Sequence, residues 1–395
     1  MPRLLVINGP NLNLLGTRQP EVYGTTTLAE LEDLCTTWAA TAGFEIDTFQ
    51  SNHEGALIDR LHAARTTADA VIINAGAYTH TSYALHDAIL AIELPTVEVH
   101  ISNVAEREPW RALSVIGPAC ERQIYGRGVE GYRWAVEHLA ALLSSPPRTV
   151  HYGPLDDHVA DLRVPDEPGP HRVAVLVHGG FWRHYWTREI MDGLAVDLTA
   201  HGWATWNIEY RRVGAGGGWP LTALDVALAV DHLADLAGDA DLDLDRVAVI
   251  GHSAGGHLAL WDAARATQPS GTVGSDPLIH PRVAVGLAAI SDLHAAADVG
   301  DGAVGAFLAD APSHADLYRS ASPIEAVPFG IPTVLVHGDA DEAVPVDLSR
   351  SFAEAARHGG DSVELIELAG VGHMELIDPT HPAWIATREA LDRAC

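Results

Sequence analysis

The sequence predicts two α/β units in series, and three observations carry that expectation. Short apolar runs of strand length alternate with segments of helical period along the chain, the pattern of strand–helix–strand crossovers. Polar and glycine-rich residues gather just beyond the apolar runs, where such sheets bind ligands. The stretch Ser144-Ser145-Pro146-Pro147-Arg148 interrupts the alternation with two adjacent prolines, which cannot continue a helix and push the preceding residue toward extended backbone. The chain therefore divides into residues 1–145, a parallel sheet with helices on both faces, and residues 149–395, a second α/β unit.

Composition narrows the function. An apolar fraction of 47% in 395 residues is enough for more than one core. Acidic residues number 53 against 24 basic ones, a formal charge of −29, which disfavours nucleic acid or an anionic membrane as the partner. Every basic residue is arginine. A chain without lysine has no Schiff-base, pyridoxal-phosphate or Walker-type chemistry. Cys35, Cys120 and Cys395 are widely spaced and form no C-x-x-C, which suits a reducing cytoplasm. The chain opens on no signal-like segment, and no apolar run approaches the roughly 20 residues that span a bilayer. The expectation is a soluble cytoplasmic protein acting on small molecules without cofactor or metal.

In the first unit, residues 4–7 read as a buried strand ending at Asn8-Gly9-Pro10-Asn11. A helix follows over 27–42, closed by Gly43. Strands at 44–49, 70–73 and 96–99 alternate with helices at 54–66 and 82–92, and a last helix covers 129–143. Polar residues cluster at the strand ends: Asn11 after the first, Asn74 and His80 after the third, Glu98, His100 and Ser102 after the fourth. Arg18 and Tyr23 lie on a Gly/Thr-rich loop, 16–26, with the composition of a mobile lid. A tyrosine, with a reference pKa of about 10, acts as a base near neutrality only where cations stabilise the phenolate; Arg18 and Arg107 are suitable cations. His100 can carry a proton to a leaving oxygen, and Arg111 can hold an anionic or polyhydroxylated substrate.

These stretches in order resemble type II 3-dehydroquinate dehydratase: Asn8-Gly9-Pro10-Asn11, Tyr23-Gly24, Gln50-Ser51-Asn52-His53-Glu54-Gly55, Asn74-Ala75-Gly76-Ala77-Tyr78, Glu98-Val99-His100-Ile101-Ser102, Arg107, Arg111 and Gly131-Tyr132. The resemblance implies a flavodoxin-like sheet and reversible dehydration of 3-dehydroquinate to 3-dehydroshikimate. It implies that Tyr23 takes the proton beside the ketone, that Arg18 stabilises the transition state, that Asn11 holds a water at the enolate, and that His100 protonates the departing hydroxyl. It assigns the substrate carboxylate to Asn74 and the amides of Ile101 and Ser102, the ring hydroxyls to His80 and Arg111, and Asp87 to a neighbouring subunit. A trimer-based homododecamer is implied with it.

In the second unit, strands at 173–177, 204–208, 247–250, 333–336 and 363–368 alternate with helices at 187–200 and 221–236. The first strand ends in His178-Gly179-Gly180-Phe181-Trp182, the third in Gly251-His252-Ser253-Ala254-Gly255. G-x-S-x-G between a strand and a helix is a nucleophile elbow, and a serine followed by an acid and then a histidine is the chain order of the α/β-hydrolase fold. Ser253, Asp341 and His373 are the candidate triad, with Asp339 and His381 as rivals. Gly180, Phe181 and Ala254 can donate oxyanion-hole N–H groups. HGGFW, GHSAGGH and the run from Asn207 to Arg212 resemble esterases of the hormone-sensitive-lipase and kynurenine-formamidase type, which implies ester or amide hydrolysis. Residues 291–330 are expected to cap the site, and Trp182, Trp186, Trp206 and Trp219 are candidates for an acyl pocket or for core. The whole chain reads as a bifunctional enzyme whose hydrolase frees a related ester or formamide; the alternative is a dehydratase carrying a non-catalytic hydrolase-like module.

Overall fold

The computed structural model describes residues 1–104, 108–111, 113–309 and 315–395. The chain divides into two compact units, Met1–Ser144 and Ser145–Cys395. Among the described residues no helix is long and apolar enough to cross a membrane.

The first unit runs β1 (Arg3–Asn8), α1 (Pro20–Tyr23), α2 (Leu28–Thr41), β2 (Glu45–Gln50), α3 (Glu54–Thr67), β3 (Ala70–Asn74), α4 (Tyr83–Ile92), β4 (Thr96–His100), β5 (Arg122–Tyr125) and α5 (Glu130–Ser144). Its five strands are parallel in the order β2-β1-β3-β4-β5. Strand alternation sends Leu4 and Val6 to a core shared with α2 and α5, and Leu5 and Ile7 to one shared with α3 and α4. Helix α2 starts on a reciprocal capping box: Glu30 N donates to Thr27 Oγ1, and Thr27 N to Glu30 Oε2. The expected lid loop, 16–26, carries the one-turn helix α1, started by Pro20 at its first position.

The second unit comprises β6 (Arg148–His151), β7 (Val159–Arg163), β8 (His171–Val177), α6 (Asp192–Ala200), β9 (Trp203–Ile208), α7 (Leu221–Asp231), α8 (Leu233–Ala240), β10 (Leu242–His252), α9 (Ala254–Ala264), β11 (Val283–Leu287), α10 (Ala303–Phe307), α11 (Ala315–Ala321), β12 (Thr333–Gly338), α12 (Asp347–Gly359), β13 (Val363–Leu368) and α13 (Pro382–Ala394). The sheet order is β13-β12-β11-β10-β8-β9-β7-β6, parallel from β13 to β9 and antiparallel at β7 and β6. One face packs on α7, α8, α9 and α12, the other on α6 and α13.

The structure corrects several sequence expectations. Strands β5, β6 and β7 are additional to those the sequence predicts: each is short, and β5 and β6 are half-exposed edges with little apolar pattern. Strand β11, Val-Ala-Val-Gly-Leu, is wholly buried and so has no period to distinguish it from helix. The helix expected at 221–236 breaks at His232 into α7 and α8. The one expected at 187–200 opens with a 3-10 turn, Arg188–Met191, before α6.

Candidate active sites

The first site lies beyond the carboxyl ends of β1, β3 and β4, next to the reversal of strand order at β1 and β3. Asn8 and Asn74, which end these two strands, are in register, so the loops after them open side by side. A cleft with about 640 Å³ of empty space is lined by Asn11, Arg18, Tyr23, Asn74, His80, His100, Ile101, Ser102 and Arg111. These residues come from loops dispersed over the first unit. Asp87 is instead on the exposed side of α4, and Arg107 lies outside the described residues.

His100 ends β4 and Glu98 precedes it by two, so strand alternation puts both side chains on one face. His100 Nε2 is 2.7 Å from Glu98 Oε1. A carboxylate only accepts, so Nε2 carries a proton. Thr79 Oγ1 donates to Glu98 Oε1 at 2.7 Å, and Ser114 Oγ and Gln123 Nε2 donate to Oε2 at 2.8 and 2.7 Å. Burial works to raise the Glu98 pKa, but the hydrogen bonds, His100 foremost, outweigh it and hold the carboxyl below its ordinary range. The sequence alone marks Glu98 as a strand-end residue without a role and gives Thr79, Ser114 and Gln123 none. The i, i+2 spacing of Glu98 and His100 was the available signal.

His80 Nδ1 is 2.7 Å from the Leu113 carbonyl, so Nδ1 carries the hydrogen of the neutral ring. Burial lowers its pKa, and Nε2, buried and without a partner among the described residues, is left as an acceptor. Asn74 is fixed by scaffold bonds: its Nδ2 donates to Tyr132 Oη at 2.9 Å, and that hydroxyl donates to Asn8 Oδ1 at 2.7 Å. The Arg18 guanidinium carbon lies 5.5 Å from the Tyr23 ring centroid. Arg111 pairs with Glu108 at 2.7 Å and stacks over Trp110.

The second site assembles at the ends of adjacent strands. Val177 of β8 is in register with Gly251 of β10, which brings the HGGFW loop beside the nucleophile; Gly338 of β12 pairs with Leu368 of β13, which brings the acid and base loops together. Ser253 sits at φ 58°, ψ −119°, a strained backbone for a residue with a Cβ. The elbow is too tight for side chains at its glycines, since a Cβ on Gly251 would lie 2.1 Å from Gly255 O and one on Gly255 2.1 Å from Val177 O. His373 Nδ1 is 2.6 Å from Asp341 Oδ2. Asp341 Oδ1 accepts from the amides of Ala343 and Val344, both at 2.8 Å. Burial disfavours the Asp341 anion, yet the bonds from His337 and His373 hold its pKa far below the carboxylate range. Asp339 instead accepts from Gly370 N, and His381 caps α13.

Ser253 Oγ is buried and has no hydrogen-bond partner among the described residues, so the structure joins Asp341 to His373 but not His373 to Ser253. Gly180, Phe181 and Trp182 all have positive φ, which turns the loop across the elbow, and Ala254 starts α9, where N–H groups have no intrahelical acceptor. The run from Asn207 to Arg212 anchors this loop. Glu209 Oε1 is 2.9 Å from His178 Nε2 and 3.2 Å from Arg212, and Tyr210 Oη donates to His178 O at 2.7 Å. Against the cost of burial, His178 and Arg212 bring the Glu209 pKa down to about 2. Trp182 and Trp206 are wholly buried in the core. Within 291–330, Val304 and Phe307 of α10 join the same core.

The family model "Dehydroquinase class II" matches residues 2–140. Over 137 residues the chain is 56% identical to the catabolic 3-dehydroquinase of Emericella nidulans, a match that covers 35% of this chain and 90% of that protein. It is 54% identical over 148 residues to the 3-dehydroquinate dehydratase of Dinoroseobacter shibae, covering 36% of this chain and 99% of the other. Through its first unit, the chain belongs to the class II dehydroquinases. This dehydroquinase domain is fused to a domain of the α/β-hydrolase fold, where the family model "BD-FAE" matches residues 161–356. The solved structure of esterase B from Lactobacillus rhamnosis superposes with a TM-score of 0.55 at 16% identity, covering 66% of this chain and 89% of that one, a likeness of fold alone.

Proposed function

We propose that the dehydroquinase domain converts 3-dehydroquinate to 3-dehydroshikimate, reversibly. The observation that carries this reading is the single cleft gathering Tyr23, Arg18, Asn11, Asn74 and His80 around a His100 whose ring is held at Nε2 by Glu98. Tyr23 removes the proton beside the ketone, and Arg18 supplies the neighbouring cation. A water on Asn11 stabilises the enolate. His100 then protonates the departing hydroxyl, the C–O bond breaks, and water leaves a conjugated enone. Asn74 with the Ile101 and Ser102 amides holds the carboxylate, His80 and Arg111 hold the ring hydroxyls, and Arg107 is a further substrate-binding residue. Appearance of enone absorbance from 3-dehydroquinate, lost in Tyr23→Phe, tests the assignment; an inactive, folded wild type rejects it.

The second domain we read as a serine hydrolase acting on an ester or amide, because Asp341 holds His373 and Ser253 sits on a strained elbow between strand and helix. Ser253 attacks the acyl carbon, His373 takes its proton and returns it to the leaving group, and N–H groups of Gly180, Phe181 and Ala254 receive the oxyanion. Residues 291–330 serve as its cap. A fluorophosphonate that labels wild type but not Ser253→Ala supports this; no labelling of wild type would favour a non-catalytic module.

We further infer a cytoplasmic homo-oligomer. The three cysteines are free thiols, and Tyr83, Asp87 and Leu90 share an outward face of α4, with Tyr83 69% and Leu90 55% exposed, which suits burial against another copy. Light scattering should read a trimer-based assembly, up to the dodecamer the family resemblance implies; a monomer rejects it.

A further inference from the structure

The residue before the nucleophile, His252, has no place in the triad or the oxyanion hole, yet it is 2% exposed and lies against the base. Its Nε2 lies 3.0 Å from the backbone oxygen of His373. A carbonyl only accepts, so Nε2 carries the hydrogen and Nδ1 of the neutral ring is a bare lone pair. Nδ1 is buried and has no hydrogen-bond partner among the described residues. Burial first, and the His373 ring second, push the His252 pKa well below the ordinary imidazole range. The two rings lie 4.4 Å apart, tilted by 45°. On its other side His252 meets the oxyanion loop, where a Cβ on Gly179 would stand 3.0 Å from His252 Nδ1 and 2.7 Å from His252 O.

We propose that His252 is a positioning residue for the base: its Nε2–H holds the backbone carbonyl of His373, and its uncharged ring braces the imidazole of His373 between Asp341 and Ser253. The inference rests on the serine-hydrolase reading above. During acyl transfer His373 accepts the Ser253 proton and carries the positive charge until the leaving group takes that proton. Two imidazoles in ring contact cannot both be charged without repulsion. The titratable groups that act most strongly on His252 are His373, from the loop after β13, and Asp341 and His337, from β12 and the loop that follows it. A His252 locked as the Nε2–H tautomer leaves the cationic state to His373 alone. His252 therefore differs from a space-filling core residue, which would be replaceable by any ring of its size.

The test uses the full chain, with p-nitrophenyl acetate and a fluorophosphonate as probes, on wild type, His252→Phe and His252→Gln. Phenylalanine keeps a ring but has no donor; glutamine puts an amide N–H where Nε2 stood. In His252→Phe the account expects kcat to fall on the order of 10²-fold from a misplaced base, with KM changed less than about two-fold. The labelling rate should fall in step with kcat, because a loosened ring no longer holds the base in place. His252→Gln should recover labelling to within about three-fold of wild type. Near-ultraviolet circular dichroism checks the fold of each variant. Wild-type rates in His252→Phe overturn the proposal, as does a folded His252→Gln as impaired as His252→Phe. A wild type that neither hydrolyses the ester nor takes the probe overturns the hydrolase reading, and this inference falls with it.

Discussion

Both sites are built on an imidazole bonded to a buried carboxylate, at 2.7 Å in the dehydroquinase domain and 2.6 Å in the hydrolase domain, but they hold the pair in different ways. Glu98 and His100 stand two residues apart on one strand, so backbone alternation alone aims them at each other, and Thr79, Ser114 and Gln123 wrap the carboxylate. Asp341 and His373 are 32 residues apart on loops after neighbouring strands. Their geometry depends on what braces the loops: the Ala343 and Val344 amides, His337 and His252. A strand-borne pair tolerates change around it, whereas a loop-borne pair transmits it.

The largest expected effect breaks the comparison at the nucleophile. Ser253→Ala should lower ester hydrolysis on the order of 10⁶-fold and leave enone formation unchanged; a fall in both activities would mean that the sites are not independent. Asp341→Asn, which frees His373 to adopt the wrong tautomer, should cost on the order of 10⁴-fold in kcat for the ester. In the first domain Glu98→Gln should cost only about 10²-fold in dehydration, since a side-chain oxygen can still accept from His100 Nε2 and three hydrogen-bonding neighbours still frame it. If the two substitutions prove equally damaging by steady-state kinetics, the contrast between strand-borne and loop-borne pairs is wrong.

The remaining prediction concerns stability. Glu209→Gln takes the anion from His178 Nε2 and one of the two from Arg212, which keeps Asp157, so the hydrolase domain should lose about 1.5–3 kcal/mol, read as a lower midpoint in its thermal or urea transition. The acid dependence follows the same sign for Glu98 and Glu209. Both have folded pKa values below the unfolded one, so their contribution is complete above the ordinary glutamate range and disappears as pH falls through the folded value, about 2 for Glu209. Wild type should therefore weaken steadily below the glutamate range, and Glu209→Gln should weaken less over that interval.

Strand ends were the legible part of the sequence. Apolar runs bounded by Gly, Asn and Pro marked β1, β3, β4, β8, β9, β10, β12 and β13, and the polar residues beyond them are those the folded chain gathers. Edges were not legible: β5, β6 and β7 owe their pairing to neighbours rather than to their own pattern, and β11 is buried on both faces. Roles that act through another residue were equally hidden. Glu98 needed the strand face, while Glu209 and His252 needed tertiary contacts between distant loops, which spacing along the chain does not encode.

One side-by-side experiment tests the central claim of two independent active sites most directly: enone absorbance from 3-dehydroquinate and fluorophosphonate labelling, each on wild type, Tyr23→Phe and Ser253→Ala. The account predicts that Tyr23→Phe loses only the first signal and Ser253→Ala only the second. A folded wild type that gives only one of the two signals, or a single substitution that removes both, would contradict it.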